Sequence, residues 1–94
     1  GRVITWTYPF AEFRFFVGPD EGGEFLLSAT ITSPEIDLGA GLYVGMPMSE
    51  AIAILGNPDV RDGSLSVYFY FTSTIELHES NGRVNSVMLA RALP

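Results

Sequence analysis

The sequence predicts an α+β fold: an antiparallel sheet of about six strands with one short helix packed on one face, in the order βββ-α-βββ. Three observations carry this. Aromatic and β-branched residues alternate with period two through most of the chain. A single amphipathic stretch with helical spacing interrupts them between Gly45 and Pro58. Finally, Asn81-Gly82 lies between two such runs and accepts the positive φ angles of a tight hairpin.

Taken in order, Val3 to Tyr8 is a strand with Ile4, Trp6 and Tyr8 on one face and Val3, Thr5 and Thr7 on the other. Pro9 ends it. Glu12 to Val17 sets Phe13, Phe15 and Val17 against Arg14 and Phe16. Residues 18 to 23 are too polar and glycine-rich to be anything but a connection. Phe25 to Thr32 places Phe25, Leu27, Ala29 and Ile31 opposite Leu26, Ser28, Thr30 and Thr32. Ser33 to Gly41 reads as a linker, and Leu42 to Val44 as a brief extended piece.

In the helix, Met48, Ala51, Ile52 and Leu55 recur at i, i+3, i+4 and i+7, with Ile54 flanking this stripe. Gly56 stands where a positive-φ stop is wanted, and Pro58 cannot continue a helix. So short a helix does not persist alone and has to dock on the sheet. After a turn at Arg61, Asp62 and Gly63, Leu65 to Thr72 puts Leu65, Val67, Phe69 and Phe71 on one face and Ser66, Tyr68, Tyr70 and Thr72 on the other. The fifth strand points Ile75 and Leu77 inward, Glu76 and His78 outward. In the last, Arg83 to Leu89, Val84 and Val87 share a face only if a bulge falls at Asn85 or Ser86.

Composition narrows the function. The 94 residues make one domain, and 47% are hydrophobic, which supplies a core and excludes disorder. Eleven carboxylates stand against five basic residues, all arginine, for a net charge of -6. An acidic chain without a basic cluster repels phosphate backbones, so no nucleic-acid partner is expected. No cysteine is present, which removes disulfides, thiolate metal sites and cysteine nucleophiles. No apolar run approaches the roughly 20 residues of a membrane-spanning helix, and no basic leader is seen, so no membrane insertion is expected of this segment. A start at Gly1 reads as a processed or excised fragment, any signal or anchor lying upstream.

The two ends of the chain resemble each other. Trp6 and Tyr8, a strand, a turn and Gly23-Glu24-Phe25 match Tyr68 and Tyr70, a strand, a turn and Gly82-Arg83-Val84. Residues 1–36 then form a half-repeat of three strands, and residues 37–94 a full repeat of helix plus three strands. A helix-sized area of sheet is left bare in the first unit.

Gly45-Met46, the short helix, Leu55-Gly56-x-Pro58, the aromatic strand with Tyr68 and Tyr70, and Gly82-x-Val84 form a pattern over residues 42 to 89. It resembles the SmpA/OmlA family of small envelope lipoproteins, whose best-known member assists outer-membrane protein assembly. It is also similar to the repeat of the β-lactamase-inhibitor-protein fold. The resemblance implies a bacterial cell-envelope or extracellular location and work done by protein contact, and it carries over no catalytic residue. Pro47 departs from the family, which usually has a helix-capping hydroxyl there.

No chemistry-bearing constellation stands out, and no enzyme, cofactor or metal site is expected. Glu76, His78 and Glu79 suggest at most a weak zinc site on a solvated strand face. Asp20, Glu21 and Glu24 crowd a turn that matches no established calcium loop. Glu35 and Asp37 lie in a linker, with nothing to set them across a substrate. Tryptophan and tyrosine, by contrast, are common interface anchors. Trp6, Tyr8, Phe16, Tyr68 and Tyr70 are therefore the candidate partner-binding residues. The expectation is a non-catalytic interaction module binding a protein partner or itself through an aromatic sheet face. The alternative is a carrier of a small apolar or lipid-like ligand in a pocket lined by Phe13, Phe15 and Phe69.

Overall fold

The computed structural model describes residues 1–18 and 24–91, with the Glu24 side chain excepted. Its elements are β1 (Arg2–Thr7), β2 (Ala11–Val17), β3 (Glu24–Ile31), α1 (Met48–Leu55), β4 (Val60–Asp62), β5 (Leu65–Phe69), β6 (Ser73–Ser80) and β7 (Arg83–Arg91). All strands join one antiparallel sheet in the order β1-β2-β3-β7-β6-β5-β4. The α+β class is as expected, but there are seven strands rather than six, in the order βββ-α-ββββ.

The additional strand is β4. Val60, Arg61 and Asp62 pair with Val67, Ser66 and Leu65, so the expected turn at 61–63 moves to Gly63-Ser64. Hydrogen bonding rather than apolar patterning makes this strand. The Asp59 N–H donates to the Val67 carbonyl at 2.9 Å, and Asp59 Oδ2 accepts from the Phe69 N–H at 2.7 Å.

A two-residue hairpin, Asn81 (φ 54°) and Gly82 (φ 76°), joins β6 to β7. His78 pairs with Ser86 and Glu79 with Val84, so Asn85 is the extra residue of a bulge. It brings Val84 and Val87 onto the same face, where both are buried. A second bulge was not anticipated. Arg14 pairs with Ser28 and Phe15 with Leu26, leaving Leu27 unopposed and exchanging the faces of Phe25 and Leu26.

The helix docks on the β7-β6-β5 half of the sheet. Met48 and Ala51 are buried, Ile52 and Leu55 pack against the core, and Ile54 is exposed at its flank. Gly56 ends it with φ 85°, its N–H bonded to the Ile52 carbonyl. Pro47 gives no side-chain cap. A backbone clip takes over that anchoring. Gly45 N–H donates to the Val84 carbonyl, Val84 N–H to Met46, and Met48 N–H to Gly82, at 2.7–2.9 Å. This segment occupies the β7 edge that β3, pairing only with residues 87–90, leaves open. The clip explains why Leu42, Val44 and Met46 are as buried as the helix stripe: loop and helix together roof the core.

The two faces of β5 divide as the alternation predicts, and the face carrying Ser66 and Tyr68 is the buried one. Ser66 and Tyr68 oppose Leu77 and Ile75 and point under the helix, whereas Leu65, Val67 and Phe69 lie on the opposite face. Tyr68 turns inward because its hydroxyl donates to the Gly56 carbonyl at 2.8 Å, closing the end of α1. The strand also stops at Phe69. Tyr70 N–H bonds the Ser73 carbonyl in a tight turn that leaves Phe71 fully exposed.

Candidate functional site

The helix side of β1, β2 and β3 carries no helix. Across it, Ile4, Phe15 and Leu26 form one cross-strand row; Trp6, Phe13, Ala29 and Leu89 form the next. Phe13 and Ala29 are drawn toward the core, while Trp6 (53%), Leu26 (43%) and Leu89 (39%) remain exposed. Trp6 meets Phe15 edge-on at 6.2 Å between ring centroids. A contiguous patch of large apolar side chains thus adjoins the roofed core.

The five candidate anchors do not form one face. Trp6 belongs to this bare patch. Tyr8 sits at the β1–β2 turn, stacked on Phe10 at 5.4 Å and edge-on to Phe13 at 6.0 Å. Phe16 lies on the opposite side of the sheet, against Phe25 at 5.4 Å. Tyr70 is exposed at the β5–β6 turn, at the other end of the sheet from Tyr8. Tyr68 is 3% exposed and corrects the expectation directly: it holds the helix and has no surface to offer. Burial pushes its hydroxyl above the ordinary value of 10.0, with Tyr70 adding to the shift.

Ile4, Phe15, Leu26 and Leu89 complete the patch; the sequence points to Phe15 only as the lining of a ligand pocket, and to the other three not at all. Strict alternation places Leu26 on the polar side of its strand, and only the Leu27 bulge carries it across. The signal was there in Phe25-Leu26-Leu27, three consecutive apolar residues that a period-two strand does not place on one side.

Polar candidates scatter. His78 Nε2 stands 3.8 Å from Glu76 Oε1 on the outer face. Glu79 is on the helix side, where it pairs with Arg61 at 2.6 Å. Asp20, Glu21 and the Glu24 side chain lie outside the described residues. Asp37 Oδ1 accepts the Gly39 N–H at 2.8 Å in a local turn, and with Glu35 borders a shallow hollow of about 230 Å³. A larger, solvent-open hollow of about 390 Å³ lies at the β3–β7 end of the sheet, lined in part by Leu26, Leu27, Leu89 and Arg91. Phe13 and Phe15 are on one side of the sheet and Phe69 on the other, so these three line no common cavity. Among the described residues, no helix is long and apolar enough to cross a membrane. No family model, curated protein or solved structure matches the chain.

Proposed function

We propose that this domain is a non-catalytic protein-interaction module that binds a protein partner, or a second copy of itself, through the sheet area its helix leaves bare. The observation that carries this reading is the patch of Ile4, Trp6, Phe15, Leu26 and Leu89, set on paired antiparallel strands. Burying apolar area yields about 25 cal/mol per Å², and contiguous exposed patches of this kind commonly mark interfaces. Trp6 is the natural anchor, large and without a partner on its exposed side. Of the sequence-derived anchors, Trp6 is retained and Tyr68 withdrawn. A place in the bacterial cell envelope or exterior rests only on the resemblance of residues 42 to 89.

Trp6 is also the sole tryptophan, which makes it the reporter. With rising protein concentration or added partner, its emission shifts to the blue, and Leu26→Glu abolishes the shift. A hydrophobic dye binds the free wild-type patch and not the variant. Solvent-like emission under every condition, together with no dye binding, defeats the proposal.

A further inference from the structure

The two edges of this sheet are built differently. At one edge, β4 is three residues long, carries Arg61 and Asp62, and has Arg61 tied to Glu79. Short length and charge are the usual guards against strand addition. At the other edge, β1 is six residues long, and among the described residues it pairs with β2 alone. Its sequence, Arg-Val-Ile-Thr-Trp-Thr, has one charge at its end, no proline and no bulge.

The hydrogen bonds of the β1–β2 hairpin show what β1 offers. Tyr8 and Ala11 exchange both backbone bonds, at 2.8 and 3.3 Å. Bonded and non-bonded pairs alternate along an antiparallel ladder. Trp6, Ile4 and Arg2 therefore bond to β2, and the N–H and C=O groups of Val3, Thr5 and Thr7 point away from the sheet.

The geometry points to a second copy of this chain as the partner, added antiparallel along β1 about a two-fold axis at Thr5. This register sets Thr5 against Thr5 and Val3 against Thr7 in both directions, so that all three outward residues gain partners, with about six new backbone bonds. It also sets Ile4 against Trp6 twice, at the non-bonded positions where cross-strand side chains approach closest. Arg2 falls opposite Tyr8, so no like charges face each other. A slip of two residues one way sets Val3 against Pro9, which has no N–H to give; a slip the other way puts Arg2, rather than Ile4, against Trp6. The axis is normal to the sheet, so the two bare patches lie side by side on one face and merge across the seam. This mode of self-association deepens the interaction-module reading and rests on it.

The test exploits the absence of cysteine. Facing residues in a bonded antiparallel pair have Cα atoms about 5.5 Å apart, within disulfide range. Thr5→Cys is expected to oxidise to a covalent dimer at low concentration, and Ser49→Cys on the exposed helix surface is not. In sedimentation, the wild type is expected to dimerise. Thr5→Pro, which removes an outward N–H and no β2 bond, should weaken dimerisation by about tenfold or more with the circular dichroism unchanged. A wild-type monomer at all concentrations overturns the proposal, as does equal cross-linking of the two cysteine variants. Should Thr5→Pro misfold, the cysteine pair decides alone. Loss of association in Leu26→Glu but not in Thr5→Pro would refute the edge pairing and leave the patch reading standing. Neither variant altering association or dye binding would end both.

Discussion

Two neighbours on β5, both under the helix, make opposite contributions. Tyr68 is buried and satisfied: its hydroxyl donates to the Gly56 carbonyl at 2.8 Å. Ser66 is 1% exposed, and among the described residues its hydroxyl has no hydrogen-bond partner. A typical net hydrogen bond is worth about 1 kcal/mol, whereas a buried unpaired group costs about 1–3 kcal/mol. Tyr68→Phe is therefore expected to lower stability by about 1 kcal/mol, and Ser66→Ala to leave it unchanged or raise it, both read by urea denaturation. The tyrosine also sets an alkaline limit. Its folded pKa is raised above 10.0, so the unfolded chain loses this proton first. The contribution is fully present below pH 10 and falls as pH rises through the folded value. In Tyr68→Phe, this part of the alkaline loss disappears. A variant with the wild-type stability profile above pH 10 would contradict the assignment.

Among the elements, α1 was the most legible because three independent signals agreed: the apolar stripe, Gly56 and Pro58. Its bounds, Met48–Leu55, coincide with that stripe. The Asn81-Gly82 hairpin and the bulge in β7 were legible for a similar reason, since tight turns and period-two faces tolerate few alternatives. β4 was hidden because one valine between Asp59 and Arg61 carries almost no pattern, and its pairing comes from the chain reversal at Gly63-Ser64. The buried side of β5 was not legible because its more apolar face, with Leu65, Val67 and Phe69, is not the one under the helix; the reach of the Tyr68 phenol to a helix terminus decides between them. The β7 bulge itself can be tested. Deleting Asn85 restores a regular ladder and turns Val84 to the other side, away from Met46 and the core. Fully burying a valine is worth about 1.5–3 kcal/mol, and the clip from Gly45 to Met48 loses its register as well. Deletion should lower stability by at least about 2 kcal/mol, whereas Asn85→Ala, which keeps the count, should be nearly neutral. Comparable denaturation midpoints for the two would show that the bulge does not hold this register.

For the whole molecule, the sequence conveyed that one helix is too small for the sheet, and the arrangement bears this out on the helix side of β1 to β3. The candidate surface was legible only as a principle. Aromatic identity selected Trp6 correctly, but it also selected Tyr68, because a phenol serves equally well as a surface anchor or as a buried tether. Leu26 escaped because a bulge changes faces without changing composition. Net charge supplies a global discriminator for the association proposed through β1. Each copy carries -6, while the pairing itself opposes no like charges and uses backbone bonds and Ile4–Trp6 contacts. Bringing two such copies together is resisted by a long-range repulsion that salt screens, the Debye length falling from about 30 Å at 0.01 M to about 8 Å at 0.15 M. Self-association should therefore strengthen as sodium chloride rises over this range at neutral pH, the reverse of an interface held by ion pairs. Sedimentation at the two ionic strengths checks it. Weaker association at the higher salt would mean that charge contacts hold the copies together, and a surface other than the threonine-lined β1 edge would have to supply them.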